Sequence, residues 1–246
     1  MDKGTAVKKH KFFWMMIRVV VMMLAVLSLM ACAYHPFIST TKTATLLSSH
    51  KNIAPEVSQV IMVMEDRFLF IHSTKVYVME KSDLTWRQIM TPMNAVIGRN
   101  GFAPVGEKRE GDGRTPSGLY RFGTAFGYTE SAVTKMPYRQ ALADDLWIDD
   151  PNAPDYNSWV KQGQTQANSY EKMRRDDNLY QYGIVIAYNT HPVIKNHGSA
   201  IFIHVWAGAE STTAGCIAVS KEDLLKILAW LNPETNPVIL INPEPL

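Results

Sequence analysis

The sequence predicts a mainly β protein of the α+β kind, with a few helices and one long insertion. Three observations carry this. Between Val57 and Gly98, short runs of β-branched, aromatic and aliphatic residues alternate with polar turns, the pattern of an antiparallel sheet. A second series of such runs begins at Gly183. A segment near the end, from Lys221 to Leu231, carries helix start and stop signals.

In chain order, the first feature is a basic stretch, Lys3, Lys8, Lys9, Lys11 and Arg18, followed by an apolar run from Val19 to Met30. That run is short of the ~20 apolar residues of a membrane-spanning helix. A basic start, a short apolar run and a small-residue end form a secretory signal. The run ends Leu29-Met30-Ala31-Cys32, which resembles a bacterial lipobox. Residues 1–31 would then be removed and Cys32 acylated; an ordinary signal peptide or membrane anchor is the alternative. Several acyl chains on one cysteine give a stable anchor. Ala33 rather than Asp follows, which by analogy with diderm lipoproteins points to the outer membrane of the cell envelope, facing the periplasm. Residues 32–56, rich in Ser, Thr and Lys, read as a tether.

Residues 57–246 form the folded domain. Val60 to Met64 and Phe68 to Ile71 are apolar runs joined by Glu65-Asp66-Arg67; Lys75 to Glu80, Trp86 to Met90 and Ala95 to Gly98 continue the series. Gly101 to Gly118 is dense in turn residues. From Pro137 to Tyr182 the chain is rich in Trp and Tyr and carries the charged segment Glu171 to Asp177. It reads as an insertion with some helix and much loop, and one of this size near a site is usually functional. Gly183 to Tyr188 and Ser199 to Val205 are strands. Ser220 caps the late helix with Asp223 in its first turn, Asn232-Pro233 ends it, and Pro237 to Ile241 is the last strand.

Composition bounds the function. The 246 residues are 46% hydrophobic and 20% charged, with a net charge of +2, which excludes a disordered chain. No basic stripe or recognition motif marks a nucleic-acid partner; the weak positive charge suits a membrane or cell wall. Seven His are scattered without ligand spacing and no CxxC or HExxH occurs, so neither metal nor cofactor is expected. The two cysteines, Cys32 and Cys216, would by default form a disulfide in an exported protein. Acylation of Cys32 leaves Cys216 a lone thiol, which in an oxidising compartment is either buried or used.

His204 ends an apolar strand and Cys216 follows twelve residues later, after a polar loop. An imidazole beside a thiol takes its proton or stabilises the thiolate, and a hairpin-like connection would bring the two together. Gly215 lets the chain turn so that the amides of Gly215 and Cys216 converge on an oxyanion. The competing reading is that Cys216 is a small buried hydrophobe.

Residues 199–219, SAIFIHVWAGAESTTAGCIAV, resemble the catalytic signature of the YkuD-type L,D-transpeptidases. His204 matches the family's His, Thr213 its Ser/Thr, Gly215 its Gly and Cys216 its nucleophile. Upstream, Glu110 to Gly118, EGDGRTPSG, resembles the family's G-D-x-x-T-P-x-G segment. The resemblance covers about residues 57–243. Ala214 stands where the family has a second His, and Ala218 and Ser220 where it has Arg or Asn; with the insertion, these mark a divergent branch. The resemblance implies a β-sandwich or barrel acting on peptidoglycan stem peptides. Cys216 would attack the peptide bond at a diamino acid and expel D-alanine. An amine would resolve the thioester in a transpeptidase, water in an amidase or hydrolase on the same scaffold; a wall-binding lipoprotein with a degenerate site is a third reading. His204 would be base, then acid.

Further candidates flank this pair. His197 is a substrate contact or a loop-surface histidine. Asp149 and Asp150 either bind a substrate ammonium group or form a turn before Pro151. Tyr138, Trp147, Trp159 and Tyr182 wall a groove or fill the core. Arg114 and Arg121 meet a stem-peptide carboxylate or are surface charges.

Overall fold

The computed structural model describes residues 15–23, 43–68 and 71–243. The chain divides into two units, Met1–Thr45 and Leu46–Leu246. Residues 15–23 are helical, and among the described residues no helix is long and apolar enough to cross a membrane. Leu29 to Cys32, the segment expected to be a lipobox, lie outside the described residues. Residues 43–49, within the segment read as a tether, are helical.

Among the described residues, fifteen strands follow. The first four are β1 (Gln59–Phe68), β2 (Ile71–Ser82), β3 (Thr85–Gln88) and β4 (Met93–Val96). The polar triplet Glu65 to Arg67 is not the turn that its composition suggests. β1 runs through it, and Phe68 pairs with Ile71, because pairing across two long strands satisfies these backbone groups. Two short strands, β5 (Phe102–Ala103) and β6 (Thr115–Pro116), flank the turn-rich segment and precede β7 (Gly118–Gly127).

The insertion holds β8 (Tyr138–Gln140), β9 (Asp145–Ile148), β10 (Trp159–Lys161) and β11 (Tyr170–Lys172), and no helix. The helix expected there is corrected to an antiparallel sheet of order β10-β9-β11. Trp147, Ile148, Trp159 and Val160 prefer a pleated surface. Asp145, buried at the end of β9, is fully partnered. Its carboxylate accepts from Leu142 N (2.8 Å), Trp159 Nε1 (2.8 Å) and Arg139 (2.6 Å).

The last strands are β12 (Tyr182–Ile186), β13 (Phe202–Val205), β14 (Ile217–Val219) and β15 (Val238–Ile241). Pairing runs β1-β15-β7-β12-β13-β14-β4-β2, and β2 returns to β1. The sheet thus closes into a barrel and leaves no open edge along that path. The helix Lys221–Trp230 begins as expected, with Ser220 Oγ accepting from Asp223 N at 3.0 Å and donating to Asp223 Oδ2 at 2.8 Å. Its Leu224, Ile227 and Leu228 join the barrel core of Ile61, Val76, Ile184, Ile203, Ile217 and Ile239.

Alternation along β13 and β14 builds two cores. Ile203, Val205, Ile217 and Val219 point into the barrel. Phe202 and Cys216 point out, toward Phe126, Trp147, Met173 and Tyr180. The outward layer is a ring network with Phe202 at its centre, edge-on to Trp147 (4.9 Å), Phe126 (5.4 Å) and Tyr180 (5.6 Å). Such pairs add stability beyond the area they bury.

Candidate active site

β13 and β14 are parallel, with His204 opposite Ala218 and Ile203 opposite Ile217. The hairpin expected between His204 and Cys216 is therefore a short crossover. The loop travels back past the segment after β4, where Thr213 bridges Gly98 and its amide donates to Ile97 O at 2.9 Å. Because side chains alternate with period two, His204 and Cys216 share the outward face as diagonal neighbours.

Both line one cavity of about 330 Å³. Thr213, Ala214 and Trp206 line it from the crossover and Ala218 from β14; Arg99 comes from the segment after β4; Glu171, Arg175 and Tyr180 come from the insertion. Tyr180 stacks edge-on against His204 at 5.1 Å and donates its hydroxyl proton to Glu171. The Arg175 guanidinium lies 5.0 Å from the Tyr180 ring centroid and is held by Asp177 through Nε (2.9 Å) and Nη2 (2.6 Å).

His204 is 6% exposed and its Nδ1 lies 2.8 Å from the Val205 carbonyl. A carbonyl only accepts, so Nδ1 carries the proton and Nε2 presents a lone pair. Burial drives the His204 pKa down to about 4, with Arg175 pushing the same way against the Val205 hydrogen bond. The Cys216 thiol is pushed up to about 12, by burial first and by the Glu171 carboxylate second. Burial also raises Glu171. At rest the site holds a neutral imidazole and a protonated thiol. Sγ donates to the Ala200 carbonyl at 3.1 Å and accepts from the Phe202 amide at 3.4 Å.

A stability consequence follows from His204. Its folded pKa lies below the ordinary 6.5, so its contribution is full above pH 6.5. It is lost as pH falls toward 4, because the unfolded chain takes up the proton first. The loss across that window is about 3 kcal/mol. The urea midpoint, followed from pH 7 to pH 4, should fall less steeply in His204→Gln than in the native chain; parallel slopes would refute this.

The other candidates lie elsewhere. Gly215, with φ of 154°, donates its amide to Thr213 Oγ1 at 3.1 Å, and that hydroxyl donates to Cys216 O at 2.6 Å. The Gly215 amide is therefore occupied, and Thr213 acts as a clamp on the turn. Of the expected contacts, Thr213 lines the cavity. Arg114 is exposed and packs its carbonyl against Gly215; Arg121 is exposed on β7. His197 lies in a loop, its carbonyl accepting from Tyr188 at 2.6 Å. The Tyr138 hydroxyl donates to Thr129 O at 2.8 Å on β8, away from the cavity. Trp147 is 6% exposed in the core beneath the thiol and donates to Asn157 Oδ1 at 2.9 Å. Trp159 donates to Asp145, and Tyr182 lies under Lys221. Asp150 forms a turn, accepting from the amides of Asn152 and Asn168 (2.9 Å each). Asp149 keeps one buried oxygen without a partner. Arg99, Glu171, Arg175 and Tyr180 were not singled out from the sequence; a lone inward Glu between the exposed Tyr170 and Lys172 was the one local signal.

A closed barrel presents a thiol and an imidazole, from two neighbouring parallel segments, to one cavity. The model of the L,D-transpeptidase catalytic domain, YkuD, matches residues 66–240, and the chain belongs to that family, whose members act on peptidoglycan. Comparison with curated proteins and with solved structures gives no match.

Proposed function

We propose that this protein is a peptidoglycan L,D-transpeptidase that works by cysteine-dependent acyl transfer. The observation that carries this is the shared cavity of His204 and Cys216, in a chain of this family. A preformed thiolate–imidazolium pair is disfavoured, since burial raises the thiol and lowers the imidazole. Proton transfer is therefore coupled to attack. The S–H proton passes to His204 Nε2 as the C–S bond forms at the stem-peptide carbonyl, and His204 returns it to the departing D-alanine amine. Arg99 and Arg175 place positive charge at the cavity wall, suited to a stem-peptide carboxylate or the developing oxyanion. The Leu29–Cys32 pattern supports a lipid anchor and a periplasm-facing place at the cell envelope, most simply the outer membrane.

The test is to incubate the protein with purified stem tetrapeptides and analyse Cys216 by mass spectrometry. A thioester that has lost the terminal residue is expected. Adding an amine acceptor should give a cross-linked product; hydrolysis alone would make the enzyme an amidase. Folded protein that yields neither adduct nor product would overturn acyl transfer.

A further inference from the structure

The thiol does not rest on His204. Its proton is given to the Ala200 carbonyl at 3.1 Å. Ala200 holds φ at 52°, a left-handed conformation that a residue with a Cβ keeps only when its surroundings impose it. What imposes it comes from the insertion. The Ala200 amide donates to Asn157 Oδ1 at 3.1 Å, and the same oxygen accepts from the Trp147 indole at 2.9 Å. Asn157 Nδ2 in turn donates to the carbonyls of Tyr188 (3.0 Å) and Asn189 (2.8 Å). Every hydrogen-bonding position of this side-chain amide is used, and Asn157 is 5% exposed.

The two residues before Ala200 are tied down as well. The Gly198 amide donates to the Tyr156 hydroxyl at 3.0 Å. Tyr156 and Ser199 both donate to Glu110 Oε2, Ser199 at 2.8 Å. The EGDG segment and the insertion thus grip the same three residues, Gly198 to Ala200, from which the thiol takes its acceptor.

We propose that Asn157 is a positioning residue. It fixes the Ala200 carbonyl as the resting acceptor of the Cys216 proton, so that the thiol stays protonated and off His204 until substrate displaces it. Its meaning for turnover rests on the acyl-transfer reading. The physical ground is simple: a carbonyl that accepts from S–H stabilises the thiol and opposes the thiolate. A loosened carbonyl therefore lets the thiol ionise more readily.

The experiment is iodoacetamide alkylation of Cys216 in the full chain, followed by peptide mass spectrometry as a function of pH. It needs no turnover. Native protein should show a midpoint above that of an ordinary cysteine; a midpoint at or below the ordinary value overturns the proposal. Asn157→Ala should raise the neutral-pH alkylation rate about tenfold, the scale of one hydrogen bond, and move the midpoint down. Ala200→Gly keeps the carbonyl and tolerates the positive φ, so it should follow the native profile. The double variant Asn157→Ala/Ala200→Gly relieves the backbone conformation while leaving the carbonyl unheld, and should show the same tenfold rise and lowered midpoint in folded protein where the single variant folds poorly. A folded Asn157→Ala or double variant with the native profile also overturns the proposal. Shifted profiles without any thioester on stem peptides would sink acyl transfer and leave the Asn157 role standing.

Discussion

Cys216→Ala is expected to abolish turnover of stem tetrapeptides, by on the order of 10⁴-fold or more, because no other described residue lining the cavity carries a thiol. The fold should survive. Cys216 is 7% exposed at the edge of the outward core, and Ile217 and Val219, which bind β14 into the barrel, keep their places. Removing one sulfur leaves a small cavity and costs about 1 kcal/mol. Chromatography of the peptide products, with a melting curve as control for folding, reads both effects at once. Cys216→Ser sharpens the test: it nearly preserves shape, yet its hydroxyl is a far weaker acid than a thiol and His204 is a weak base here. It should be as inactive as the alanine variant. Activity retained within tenfold in Cys216→Ala would mean that the cavity binds wall peptides and does no chemistry through this thiol.

Gly98→Ala should cost about 3 kcal/mol or more in stability, with a melting temperature about 10 °C lower. Gly98 lies where the end of β4 crosses the turn-rich segment. A Cβ there would meet the Gly113 carbonyl oxygen well inside contact distance, with Arg114 Cα and C at 2.9 Å. All three are backbone atoms, so no side chain can swing aside. The same residue donates its amide to Thr115 Oγ1 at 2.9 Å and bridges Thr213. Thr115 is fully buried and its hydroxyl reaches the Cys216 carbonyl at 3.4 Å. Separation of these segments would therefore disturb the turn that carries the thiol. Urea unfolding together with product formation should show both losses. A Gly98→Ala variant that unfolds with the native protein would mean that the close approach is relieved by a backbone shift.

The strand series, the capped helix and the two motif segments were legible in the sequence because each rests on local rules. Alternating β-branched runs make strands wherever they pair. Ser220 with Asp223 caps a helix through atoms three residues apart. The parallel course of β13 and β14 was not legible, since the eleven residues between them are enough for a hairpin or a crossover; the bridge from Thr213 to Gly98 decides between them. The insertion misled for a related reason. Its Trp, Tyr and charged residues lack a clear period, and only packing of Trp147 against Phe202 and Asn157 makes β9 the central strand of a sheet.

A mainly β domain with a candidate His/Cys pair follows from local sequence, because those properties reside in residue type and near-neighbour spacing. The tertiary structure decided what surrounds the pair. It placed Glu171, Tyr180, Arg175 and Arg99 at the cavity and left Arg114, His197, Tyr138 and Trp147 out of its lining. It also chose the Ala200 carbonyl as the thiol's resting partner. These choices depend on which faces of distant segments meet. Barrel closure and the docking of the insertion fix those meetings, and short-range periodicity carries no record of either.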